Sequence, residues 1–187
     1  RSVHRGSIPN RISIHDRPEI IDKNIEFCHF EGDSVEGLGH KDGVHTEVER
    51  LTRKYFAVLV NSIDSEEGLK AQEIIFSSLP EIARKSTTLD NGKENHKHYI
   101  LREKLGMQTY HADPYSSWQR GSNEYHNGLL RRYFPKKTDF SKVTQPDIDD
   151  VVKEINDRPR KCLGYYTPNE VFLSKLNNRK VAIQFRM

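Results

Sequence analysis

From residue 25 to residue 61 the apolar positions come in three short runs separated by turn-rich stretches, the pattern of strands. Residues 25–35, 44–50 and 54–61 are the strand candidates, and the third holds the densest run, Tyr55-Phe56-Ala57-Val58-Leu59-Val60. Gly37-Leu38-Gly39-His40-Lys41-Asp42-Gly43 supplies the turn between the first two. From residue 65 the period becomes helical. Residues 65–79 repeat apolar side chains at Leu69, Ile74, Ile75 and Leu79, with Ser65 the expected cap ahead of Glu66 and Glu67. A short strand over 87–89, a helix over 94–105 stopped by Gly106 and a strand over 107–110 follow. A long helix over 116–134 ends at Pro135, and helices over 146–156 and 167–176 flank Arg158-Pro159-Arg160.

These elements predict an α/β fold with a five-stranded mixed sheet flanked by helices. The first three strands pair as a meander. The helix over 65–79 returns the fourth strand parallel to the first in the right-handed sense. That topology is the ribonuclease H-like one, and it sets Asp33 beside Asp90. Asp33 shares its pleat face with His29 and Glu31. Residues 1–22, with Gly6, Pro9 and Pro18, read as a linker or extended arm, residues 23–177 as one core and residues 178–187 as a tail.

At 187 residues there is enough chain for one sizeable core, and 34% hydrophobic against 30% charged residues is a polar but foldable balance. The two cysteines, Cys28 and Cys162, show no paired spacing, which points to a reducing compartment. No apolar run reaches the roughly 18–20 residues of a membrane span, and no signal-peptide core is present. A soluble, cytoplasmic protein with no membrane partner is the expectation. The start at Arg1, without Met, reads as a piece of a longer protein. Residues 129–187 hold 13 Lys/Arg against 7 Asp/Glu, whereas residues 1–128 hold 17 against 20. A basic third beside an acidic remainder suits an acidic pocket flanked by a phosphate-binding surface; ordinary charge scatter is the alternative.

Three carboxylates stand out by context: Asp33 closing Phe30-Glu31-Gly32-Asp33, Asp90 opening Asp90-Asn91-Gly92-Lys93-Glu94, and Glu124, with 33 residues between it and Asp90. Carboxylates from three different elements are what two divalent ions need for phosphoryl transfer. With 27 acidic residues in the chain, spacing alone is a weak warrant. On the long helix Arg120, Glu124, Asn127 and Arg131 share one face, and Trp118, Tyr125, Leu129 and Tyr133 form another stripe, expected to pack in the core. Gly121 and Gly128 each cost a helix about 1 kcal/mol relative to Ala. Either close approach of a DNA backbone or a tight helix–strand contact would justify them. Arg158, Arg160, Lys161, Lys136 and Lys137 are candidate phosphate contacts. His96, His98, His111 and His126 are expected to be exposed histidines and not zinc ligands, because no cysteine pair or HExxH accompanies them. Cys28 is expected in the core.

The motifs Glu31-Gly32-Asp33, Val48-Glu49-Arg50, Asp90-Asn91-Gly92-Lys93-Glu94 and the run from Ala112 to Glu124 occur in that order. Asn127-Gly128-Leu129-Leu130-Arg131, Phe134-Pro135-Lys136, Asn156-Asp157-Arg158-Pro159-Arg160-Lys161, Leu163-Gly164-Tyr165 and Thr167-Pro168 continue the series. Together they closely resemble the catalytic core of bacterial DDE transposases of the insertion-sequence-thirty family, relatives of retroviral integrases, over roughly residues 8–176. The resemblance implies a ribonuclease H-like core in which Asp33, Asp90 and Glu124 hold two Mg2+ ions, with Mn2+ as a substitute. It implies DNA cleavage at transposon ends, strand transfer into target DNA and a homo-oligomer on DNA. Arg120, Asn127 and Arg131 join the basic residues named above as expected DNA contacts. Tyr125-His126 and Asn95-His96 depart from the family pattern. A non-catalytic DNA-binding or dimerisation module and a ribonuclease H-type nuclease are the alternatives.

Overall fold

The computed structural model describes residues 8–177. Its core is a single sheet of β1 (His29–Glu36), β2 (Gly43–Glu49), β3 (Tyr55–Val60), β4 (Ser86–Leu89) and β5 (Gln108–His111), in the order β3-β2-β1-β4-β5. β1 pairs antiparallel with β2, Asp33 opposite Thr46, and parallel with β4, Glu31 opposite Thr88. β1 is therefore central, and the meander and the parallel return both follow the pattern expected from the sequence.

Helices cover both faces. After a single turn, α1 (Glu19–Asp22), come α2 (Ser65–Ser77), α3 (Tyr99–Leu105), α4 (Gly121–Leu130), α5 (Gln145–Asn156) and α6 (Pro168–Leu176). Strand alternation sends Phe30 to one face, where it packs with Phe76, Leu101, Met107 and Phe172. Val35, Val44 and Val48 point the other way, onto Leu129, Leu130, Ile148 and Ile155 of α4 and α5.

Several boundaries differ from the sequence reading, each for a local reason. Asp64, not Ser65, caps α2: its carboxylate accepts the N–H groups of Glu66 and Glu67 at 2.9 and 3.0 Å. The helix expected over 94–105 splits into a 3-10 turn, Lys93–Asn95, and α3. Asn95 turns back to Asp90 at 2.7 Å, and His98 turns inward to Thr109 and the Pro9 carbonyl. The helix expected over 116–134 begins as a 3-10 turn, Ser117–Arg120, and is α-helical only over α4. The segment read as a linker is docked from residue 8: Ile14 and Ile21 are buried, Ser13 bridges His111, and Arg17 donates to Thr88 Oγ1 at 2.8 Å. The rest of that segment, residues 1–7, and the tail, residues 178–187, lie outside the described residues. Among the described residues no helix is long and apolar enough to cross a membrane.

The interior is unusually polar beside the central strand. Glu47 is fully buried and accepts from Thr87 Oγ1 at 2.7 Å and Gln72 Nε2 at 3.0 Å, with His45 Nε2 also at 3.0 Å. Gly32, next to Asp33, makes room for it: a Cβ there would lie 2.5 Å from Glu47 Oε1 and 2.7 Å from Leu89. Gly32→Ala should therefore lower stability by about 1–3 kcal/mol through overpacking. Urea unfolding checks this, with Gly121→Ala as the control, because a Cβ at residue 121 meets nothing within 4 Å.

Candidate active site

Asp33 leaves β1 on the face covered by α4, and Asp90 stands one residue past the end of the parallel neighbour β4. A single guanidinium joins them: Arg120 Nη1 is 3.2 Å from Asp33 Oδ1 and Arg120 Nη2 is 3.6 Å from Asp90 Oδ2. Arg120 also donates to the Gly32 carbonyl at 2.9 Å and is only 9% exposed. Its Nε is buried without a partner.

Each carboxylate is further oriented. Asn127 Nδ2 donates to Asp33 Oδ2 at 3.2 Å, while Asn127 Oδ1 accepts from Thr46 Oγ1 and Tyr55 Oη, both at 2.9 Å. Asp90 Oδ1 accepts from Gly92 N at 2.8 Å and from Asn95 Nδ2 at 2.7 Å. Burial holds the Asp33 carboxyl above the usual range, Arg120 pulls it down, and neighbouring Asp90 adds to the rise. Glu94 is raised by burial and then by Asp90 and Asp33, which makes it part of the same acidic group. A cleft of about 560 Å³ opens beside Asp90 and Arg120, walled by Lys93, His96, Tyr115 and Ser116.

Glu124 is placed differently. It is exposed, one turn along α4 from Arg120, and faces a shallow surface with Gly121, Tyr125, Gly128 and Arg132. Among the described residues no three His, Cys, Asp or Glu side chains stand close enough to hold one metal ion. The structure brings Asp33 and Asp90 together and leaves Glu124 on the adjoining side of the helix. The donors that do converge, on either side of the Arg120 guanidinium, are hard carboxylate oxygens, the donor type that hard divalent cations take.

The two stripes read from the long helix are inverted in part. Arg120 and Asn127, expected to face DNA, turn into the sheet and serve the aspartates. Asn123, which the sequence offers only inside the run from Ala112 to Glu124, is fully buried and donates to the Glu31 carbonyl at 2.7 Å. Trp118 and Tyr125, expected in the core, are 71% and 55% exposed; Tyr133 is also exposed, and Leu129 alone of that stripe is buried. His98, His111 and His126, expected at the surface, are buried, and burial foremost lowers all three, His126 to about 4 and His111 to about 3. Cys28 is in the core as expected, its thiol pushed up to about 12 mainly by burial.

The remaining basic candidates scatter. Lys136, Lys137 and Lys161 are exposed. Arg131 donates to the Glu36 carbonyl at 2.7 Å, and Arg158 pairs with Glu154 at 2.7 Å. Arg160 is buried.

The transposase for insertion sequence element IS4351 of Bacteroides fragilis is 39% identical to the chain over 184 residues, which cover 97% of this chain and 56% of that protein. The transposase InsI for insertion sequence element IS30A of Escherichia coli K12 is 40% identical over 173 residues, 91% of this chain and 45% of that one. Over most of its length the chain is similar to IS30-family transposases. It spans about half the length of the curated relatives it matches. A crystal structure of the catalytic core domain of BIV integrase superposes on this chain with a TM-score of 0.63 at 15% identity, covering 82% of this chain and 99% of that one. That likeness establishes the ribonuclease H-like fold expected from the sequence. No protein-family model matches the chain.

Within this core, Arg120 neutralises two carboxylates that would otherwise repel. Arg120→Gln should destabilise the metal-free protein by about 2 kcal/mol at pH 7, less than a fully buried pair would lose because the aspartates are partly exposed. Without the guanidinium the folded-state pKa of Asp33 rises further above its unfolded value. The deficit is then absent below the unfolded pKa and grows as pH rises through the folded one. Urea unfolding at pH 4 and pH 7 in chelator should show the two proteins converging in acid.

Proposed function

We propose that the chain is a DNA-cleaving and strand-transferring catalytic core, with Asp33, Asp90 and Glu124 as its catalytic and metal-holding carboxylates. The observation that carries this reading is the meeting of Asp33 and Asp90 across parallel neighbours β1 and β4 in a chain related throughout its length to transposases. Two bound divalent ions would activate the attacking oxygen and neutralise charge on the phosphate.

The chain's own groups supply the framework. Asp33 stands on the most constrained strand of the sheet, where Asn127, fixed by Tyr55 and Thr46, directs one of its oxygens. Asp90 is held by Asn95 and by the Gly92 N–H. Arg120 keeps the two carboxylates paired until a cation of higher charge competes for them. Glu124, exposed on the adjoining side of α4, is the third carboxylate of the proposal. The open cleft beside Asp90 admits a DNA strand, and Lys136, Lys137 and Arg131 lie along the basic third as further DNA contacts. Hydrolysis and strand transfer are the same in-line displacement with water or a 3′-hydroxyl as nucleophile. Assembly as a homo-oligomer on paired transposon ends and on target DNA belongs to the same proposal.

Supercoiled and end-labelled duplex DNA, incubated with Mg2+ or Mn2+, should be nicked. Asp33→Asn, Asp90→Asn and Glu124→Gln should each reduce the rate at least about 100-fold, a barrier change of roughly 3 kcal/mol, with a retained cooperative thermal transition as proof of folding. DNA binding without nicking under any metal would favour a non-catalytic module. Faster cleavage of an RNA–DNA hybrid than of duplex DNA would favour a ribonuclease H-type nuclease.

A further inference from the structure

A second cleft, of about 500 Å³, lies on the far flank of α4 from Asp33, between Gly121, Ser122 and Tyr125 of that helix and Arg53, Arg160 and Lys161. Three cations line it, and no carboxylate does. Arg160 is the telling one. It is only 9% exposed, donates to the Ile155 carbonyl at 2.9 Å and more loosely to Tyr125 Oη at 3.4 Å, and has a buried Nε with no partner.

The arginine ion pairs among the described residues are Arg17–Asp22, Arg50–Glu31, Arg120 with Asp33 and Asp90, and Arg158–Glu154. Arg160 and Arg53 have none; Arg53 instead hydrogen-bonds Ser122 Oγ. A buried guanidinium without a counter-ion is expensive. The Tyr125 ring, 5.9 Å from Arg160 Cζ, offsets only part of that cost.

Two features of α4 fit an anion in this place. Its N-cap residue, Arg120, makes no side-chain cap, and Glu31 accepts the Asn123 N–H only on the inner face, so the positive end of the helix stays open toward this flank. Gly121 has ordinary helical φ of −59°, and a Cβ there would meet nothing within 4 Å, so neither backbone conformation nor internal packing requires glycine. The missing side chain leaves the mouth of the cleft open to an external group.

We propose that this cleft is a phosphate-binding subsite that holds a backbone phosphate of DNA remote from the bond being cut, with Arg160, Arg53 and Lys161 as its donors. The inference rests on the DNA-processing reading above for the identity of the anion. α4, about 10 Å across with its side chains, separates the cleft from Asp33 and Asp90. The phosphate held here is therefore not the reacting one, and a strand reaching both places crosses the N-terminal turn of α4.

Duplex binding by the full chain, followed by fluorescence anisotropy in chelator between 50 and 200 mM salt, tests this. Arg53→Gln combined with Lys161→Gln should weaken binding at least about 10-fold and uniformly across sequences, and should reduce the salt slope by about 2. Gly121→Leu should weaken binding while leaving thermal melting intact. Inorganic phosphate should raise the melting temperature of the parent chain and not of the double variant. Unchanged affinity and slope in the folded double variant would overturn the subsite, even where metal-dependent nicking by the parent chain upholds the functional reading. Phosphate stabilisation without any duplex binding by the parent chain would overturn DNA as the source of the anion.

Discussion

Helix α4 docks on the central strand through polar groups, and the rest of the site depends on that contact. Arg120, Asn123 and Asn127 form the inner face, and what they meet on β1 is backbone carbonyl and carboxylate: the Gly32 and Glu31 carbonyls and Asp33. Apolar packing would hold the helix equally well but would leave those acceptors buried and unpaired. Polar docking satisfies them, and it is directional, so it fixes the rotation of α4 about its axis as well as its distance from the sheet. The apolar contribution comes from one end only, where Leu129 and Leu130 enter the core shared with α5.

The cost of this arrangement is spread over the neighbouring strands. Glu31, Glu47 and Glu49 are all buried on β1 and β2, and each is fully engaged. Glu31 takes Arg50 and the Asn123 N–H, Glu47 takes Thr87 and Gln72, and Glu49 takes Thr52 and the Cys28 N–H. A half-satisfied network of this kind would be worse than an apolar core. The engagement of every member explains how a strand pair so rich in charge remains the centre of the fold. It also explains Gly32, which is small because Glu47 reaches beneath it.

Strand order and the pairing of Asp33 with Asp90 were legible because period-2 alternation and the crossover rule act on many residues at once. The faces of α4 were not legible. Hydrophobic periodicity assigns aromatic residues to the core, yet Trp118 and Tyr125 are exposed and Arg120 is buried. The rule fails where the partner surface is itself polar, since β1 offers carbonyls and carboxylates to this helix. The histidines failed for the converse reason: nothing in the spacing of His98, His111 and His126 signals that Thr109, His98 and Tyr55 lie against them. Arg53 was invisible as a site residue because its neighbours Ser122 and Arg160 come from distant segments.

The two glycines of α4 join these threads. The inner face of the helix, Arg120, Asn123 and Asn127, lies away from both glycines, and a Cβ at Gly121 or Gly128 would meet no neighbour. The tight helix–strand contact that could have explained them is therefore absent from the folded chain. What remains is a helix whose inner face closes on its own carboxylates, whose outer face is bare at two positions, and whose far flank carries a buried guanidinium without an anion. Glu124 lies on the bare side. A phosphate backbone lying along that side would meet cations on one flank of the helix and the paired aspartates on the other, and α4 touches both.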